Sequence, residues 1–147
     1  MIKDILVELF ERDIPKLKHE IEQYEDEEKL WVISNEIKNP AGNLALHITG
    51  NLKHYVGAVL GKSEYIRNRD AEFNDKNIPK SEILKSIDET LEIVKHVISQ
   101  LSEEELKREY PEHVFGKGMT TAFFIVHLAA HLNYHLGQIN YHRRILG

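Results

Sequence analysis

Apolar residues recur at intervals of three and four along most of this chain, which is the spacing of one face of a helix. The first run is Ile2, Ile5, Leu6, Leu9, Phe10, Ile14, Leu17 and Ile21. Pro15 lies inside it and is expected to kink the helix or split it at Asp13, because proline lacks a donor and crowds the preceding turn. Residues 25–38 read as a charged connector anchored by Leu30-Trp31-Val32-Ile33. A second helix is expected from an Asn39 cap and Pro40 to about Leu60, ended by Gly61. Residues 61–78 hold no long periodic stretch, and a connection of that length in a small domain is functional or disordered. A third helix starts near Pro79 or Ser81 and carries Ile83, Ile87, Leu91, Val94, Ile98 and Leu101. Ser102-Glu103-Glu104-Glu105 caps a short turn, and the acids suit a helix start. The segment 109–119, with Pro111, Gly116 and Gly118, is a loop. Thr120 or Thr121 then caps a last helix running to about Leu146. Four such helices in one domain pack best as an all-α four-helix bundle, and the two long connections allow crossovers.

With 147 residues the chain has the size of one domain spanning 1–147. The apolar runs fall far short of the roughly 20 residues that cross a bilayer. The opening Met1-Ile2-Lys3-Asp4 is followed by mixed charge, unlike a signal peptide, so the expected location is the cytoplasm. Lys and Arg number 19 against 24 Asp and Glu, a net charge of −5 that argues against binding nucleic acid. Cysteine is absent, which removes disulfides, thiolate metal sites and a cysteine nucleophile. Histidine is abundant, at nine residues, and it is the commonest metal ligand.

The last helix carries His127, His131 and His135 at intervals of four, then His142. With His131 at zero, the apolar stripe of Ile125, Leu128, Leu132 and Ile139 centres at roughly 60–100°, His135 falls at about 40° and His127 at about −40°. His142 is too far along the axis to share an ion with His135. On the second helix the stripe is Leu44, Ile48, Tyr55 and Val59, with His47 at its edge, Asn51 further in and His54 two turns on. Several imidazoles facing one core must be hydrogen-bonded or coordinated. Two histidines at i, i+4 and a third from another helix make a three-nitrogen site for a divalent ion, with an open position of the catalytic kind. Half-exposed histidines with ordinary hydrogen bonds are the competing assignment, and His19, His96 and His113 take it by default.

His131-Leu-Asn-Tyr-His135-Leu-Gly137-Gln138-Ile139 resembles the HxxxHxGQ signature in the last helix of the DinB-like family. His47-Ile-Thr-Gly50-Asn51-Leu52 resembles that family's ligand-bearing second helix. Arg67-Asn-Arg69-Asp70-Ala-Glu72-Phe73 resembles a stretch that follows the second helix in one branch. The resemblance implies a four-helix bundle with crossover connections, homodimers, and one divalent metal ion on His47, His131 and His135. Its better understood members include thiol transferases that use a low-molecular-weight thiol and a thiol-dependent isomerase. The family pattern assigns no role to His54, His127 or His142.

The expected chemistry follows from the missing cysteine. A three-imidazole ion, whether Zn²⁺, Ni²⁺, Fe²⁺ or Mn²⁺, lowers the pKa of bound water or deprotonates a bound thiol. The thiolate would come from a cosubstrate and attack a small-molecule electrophile. Hydrolysis is the alternative, weakened because neither histidine-bearing stripe holds a carboxylate that could act as general base. A third possibility is a metal-binding or dimerisation module without turnover. Asn51 and Gln138 are candidates to position the substrate or the ligands, or else to bond between helices. Arg67 and Arg69 are candidates to clamp an anionic thiol or substrate, and ion pairs with Asp70, Glu72 or Asp75 are the competing assignment. Trp31 and Tyr65 are read as packing residues.

Overall fold

A computed structural model describes residues 1–147 as an all-helical chain of six α-helices with no strand. Helix α1 (Ile2–Glu22) runs unbroken through Pro15, so the expected split at Asp13 does not occur. The reason is packing. Phe10, Ile14, Leu17 and Ile21 form one continuous buried stripe across the proline, while Pro15 itself points to solvent, and that burial outweighs one missing hydrogen bond. A 3₁₀ turn, Glu27–Trp31, follows, capped by Asp26 and anchored by the buried Leu30. Helix α2 (Ala41–Leu52) starts one residue later than expected, with Pro40 in place of Asn39 as the capping residue and no side-chain cap bond. Eleven of its twelve residues are buried, which explains its small side chains: the helix is covered on every face. At Gly42 the indole ring of Trp31 fills the space a Cβ would need.

From Lys53 to Leu60 helix α2 continues as a π-helix, whose wider turn changes the face presented to the core. Val56 and Gly57 are buried there, whereas Tyr55 and Val59 of the expected stripe are only partly covered. Residues 61–79 are not wholly irregular. A short helix α3 (Arg69–Asn74) lies inside them, capped by the Asn68 side chain and carrying Asp70 and Glu72 in its first turn. Helix α4 (Lys80–Gln100) is followed by α5 (Glu103–Lys107), which opens with a reciprocal Ser102–Glu105 capping box. Helix α6 (Thr121–Leu146) is capped by Thr120.

The four longer helices pack α1 against α4 and α6, and α2 against the same two. Their directions follow from paired side chains. Lys18 meets Asp88 and Lys95 meets Glu11, so α1 and α4 are antiparallel. Asn133 bonds Asp13 and Asn140 bonds Glu20, each at 2.8 Å, so α1 and α6 are parallel with a fixed register. Lys53 reaches Ser86 while Gly61 lies against Val97, so α2 and α4 are parallel neighbours. Parallel neighbours cannot be joined by a tight turn. The chain must travel back along the molecule between them, and residues 61–79 do so across the outside of α2.

The continuity of α1 gives a test. Pro15→Ala restores a backbone donor at an exposed position and should stabilise the protein by about 1–3 kcal/mol in urea unfolding. A loss of stability would show that the proline is needed to shape the helix.

Candidate metal centre

Three imidazoles converge where α2 faces α6. His131 Nε2 lies 3.1 Å from His47 Nε2 and 3.1 Å from His135 Nε2. One nitrogen from each ring falls within 4.8 Å of the others, and this group can hold a metal ion. Two nitrogens on a tetrahedral zinc are about 3.3 Å apart, so the rings need move only tenths of an ångström to share one ion. His47 is buried, and His131 and His135 are half-buried, which leaves the site reachable from outside. Burial and the neighbouring His135, His47, His127 and Arg67 push the His131 pKa down to about 3. Burial, with His47 beside it, lowers His135 against the effect of its bond to Gln138. Both rings therefore offer lone pairs at neutral pH, the form a metal requires.

The outer nitrogens are held as well. His47 Nδ1 donates to Glu72 Oε1 at 3.0 Å, and His135 Nδ1 donates to Gln138 Oε1 at 2.7 Å. A carboxylate or amide behind a ligating histidine fixes the ring and its tautomer. Glu72 is itself clamped by Arg67, whose Nε and Nη2 each reach one carboxylate oxygen at 2.9 Å. Burial alone would raise the Glu72 pKa. The hydrogen bonds from His47 and Arg67 and the guanidinium charge outweigh that and hold it below the usual carboxylate range.

Neither helix stripe carries a carboxylate, and Glu72, the one beside His47, is on neither of them. It arrives from α3, in the segment between α2 and α4, 25 residues from His47. Two further bonds dock that segment, from Asn43 Nδ2 to the backbone oxygens of Glu72 and Asp75. Gly50 is the one local signal. A Cβ there would collide with the Glu72 carboxylate, so glycine lets the segment carrying Glu72 lie directly on α2.

The other candidates fall as follows. Arg67 forms the ion pair with Glu72 and also lies over the Tyr55 ring. Arg69 is exposed, with its guanidinium 5.2 Å from the Phe73 ring, and Phe73 packs against His47. Asn51 is buried with its Oδ1 unpartnered. His127 is outside the group, wedged between Phe115 and Phe124. His54 faces Glu112. His142 is structural: it accepts from the Tyr24 hydroxyl at 2.7 Å and donates to the Val32 carbonyl at 2.9 Å, joining the connector to the end of α6.

Two outcomes are expected from this geometry. Gly50→Ala should displace Glu72 and destabilise the protein by about 1–3 kcal/mol, whereas Gly137→Ala, with open space at its Cβ, should be neutral or stabilising. The second concerns pH. An unfolded histidine titrates near 6.5, so between that value and about 3 the unfolded chain binds more protons than the folded one at His131. The His131 contribution is fully present above pH ~6.5 and is lost as the pH falls toward 3. Urea midpoints in chelator, compared at neutral and acid pH, should fall less steeply in His131→Phe than in the wild type.

The sequence model of DUF1572, described as a protein of unknown function, matches residues 5–147. No curated protein matches the chain. With nearly its whole length matched, the chain belongs to the DUF1572 family.

Proposed function

We propose that this protein is a metal-dependent enzyme of the DinB-like kind that transfers a low-molecular-weight thiol to a small-molecule electrophile. The observation that carries the reading is the convergence of three imidazole nitrogens, two of them backed by fixed acceptors on their outer side. That is the construction of a ligand set built to present lone pairs to one cation. A bound divalent ion, Zn²⁺, Ni²⁺, Fe²⁺ or Mn²⁺, would supply a Lewis-acid position at which a thiol becomes nucleophilic near neutral pH.

The chain's own residues have separable tasks. Glu72 and Gln138 hold His47 and His135 in their metal-binding tautomers. Arg67 keeps Glu72 ionised and immobile, so its charge serves the scaffold. Arg69, exposed on α3 beside Phe73, is the arginine we assign to an anionic group of the thiol or its acceptor. Because the protein has no cysteine, the sulfur nucleophile enters with the cosubstrate. The commitment of the Glu72 carboxylate to His47 and Arg67 favours thiol transfer over hydrolysis, in which a free carboxylate would serve as general base.

The same reading takes the chain as one four-helix-bundle domain with a crossover between its parallel neighbours. It acts in the cytoplasm as a homodimer and binds neither nucleic acid nor membrane. The exposed Phe123, Tyr134 and Tyr141 on α6 support a second copy as partner, and the net charge of −5 supports the absence of nucleic acid. No helix is long and apolar enough to cross a membrane.

The test is metal content in protein purified without a metal-affinity column. About one equivalent per chain is expected, lost in His47→Ala and in His131→Ala with helicity retained. The loaded wild type should consume a thiol and an electrophile together, and the two variants should not. No ion in the wild type, and no uptake of added Zn²⁺, Ni²⁺ or Mn²⁺, would overturn the reading.

A further inference from the structure

The last turns of α6 and the segment before α2 enclose a cleft of about 510 Å³, within the size range of small-molecule sites. One wall is a single stripe of α6, Gln138, Tyr141, His142 and Ile145, spaced three and four apart. The other wall is residues 36–39. That wall is held at two points. His142 Nε2 donates to the Val32 carbonyl at 2.9 Å. A tight turn through Asn35, at a φ of 52°, is closed by the Ile37 N–H donating to the Ser34 carbonyl at 2.9 Å. His142 is buried and committed to Tyr24 and Val32, so it forms the floor of the cleft.

The cleft shares one side chain with the metal centre. Gln138 lines it and also accepts from His135 Nδ1 through Oε1 at 2.7 Å. With Oε1 so committed, the two N–H donors on Gln138 Nε2 remain, and no protein group takes them. Lys38, on the facing wall, has neither an ion pair nor a hydrogen bond. Ile37 and Ile145 supply apolar surface, Ile145 being 58% exposed. Free donors on both walls with apolar flanks fit a ligand that brings a carboxylate and a short hydrocarbon part. Glu36, also unpaired on the same wall, opposes a second negative charge. The wider groove between α1 and α6 contains neither Glu72 nor Gln138, the residues that hold the histidines.

We propose that this cleft binds a small monocarboxylate, its oxygens accepting from Lys38 Nζ and Gln138 Nε2, and that this ligand is coupled to the metal ion through Gln138. A carboxylate on Nε2 holds the amide in the orientation that keeps Oε1 on His135, and so supports a ring that ligates the ion. The coupling is reciprocal: the acid tightens the ion and the ion tightens the acid by one factor. Its second half rests on the metal reading above. The cleft itself does not, and neither half depends on the thiol chemistry.

Butyrate is the probe. In chelator-treated wild type it should bind saturably in the millimolar range, as suits so small a ligand. It should move the Gln138 side-chain amide and the Ile37 and Ile145 methyl signals in NMR spectra. Lys38→Gln should weaken it roughly tenfold, the worth of one charge-assisted hydrogen bond. Succinate should bind more weakly than butyrate, and Glu36→Gln should narrow that gap. In the wild type, saturating butyrate should tighten Zn²⁺ binding about fivefold. In Lys38→Gln, Zn²⁺ affinity without butyrate should match the wild type and the gain should vanish. Signals that do not shift saturably, or a butyrate affinity unchanged by Lys38→Gln, would overturn the site. A Zn²⁺ gain that persists in Lys38→Gln would put butyrate on the ion itself and overturn the coupling. A wild type that binds butyrate but takes up no Zn²⁺ would overturn the metal reading and the coupling together, with the cleft confirmed.

Discussion

The contact between the Glu72 carboxylate and His47 is the interaction on which the site depends. It joins an element outside the helix pair to one of the three converging rings, and it is possible only because Arg67 neutralises the carboxylate and Gly50 leaves room for it. A buried carboxylate without those partners would be costly, and a buried imidazole without its acceptor would be free to turn. The same ion pair ties down the segment between α2 and α4, so the route of the chain and the orientation of the His47 ring are set together.

That coupling has its origin in topology. α2 and α4 are parallel and adjacent, so a long return segment must lie on the molecule's surface. A segment of that length needs anchoring, and α2 offers Asn43, His47 and a glycine on its outer face. α2 is consequently buried all round, which restricts its sequence to small side chains and leaves His47, Asn51 and Asn43 as polar groups that must find partners. Asn43 and His47 find theirs in the segment carrying Glu72, whereas Asn51 Oδ1 has none.

Much of this was legible in the sequence, and the exceptions share a cause. The 3–4 periodicity located the long helices, and the Ser102 and Thr120 caps marked two starts, because these signals are local. The i, i+4 spacing of His131 and His135 on an apolar stripe, with His47 at the edge of another, put three histidines on facing surfaces for the same reason. The sequence offers Glu72 as an ion-pair partner of Arg67, which it is, but its bond to His47 is tertiary: nothing near it in sequence announces a histidine 25 residues earlier. Asn68 with acids at 70 and 72 is a helix-start signal, and with the buried Gly50 it could have pointed to a segment docked on α2. Pro15 misled in the other direction, since a strong local penalty gave way to a buried stripe on both sides of it. The π-helical second half of α2 shifted the face that a regular 3.6-residue repeat assigned to Tyr55 and Val59.

The central claim is that His47, His131 and His135 ligate one ion through their Nε2 atoms. X-ray absorption at the zinc edge of the Zn²⁺-loaded protein tests it most directly. The account expects three imidazole nitrogens at roughly 2.0–2.1 Å, with the outer-ring scattering that marks histidine, and one further light ligand. A spectrum dominated by oxygen ligands without imidazole scattering would contradict it, because the ion would then be bound elsewhere and the convergence of the three rings would serve packing alone.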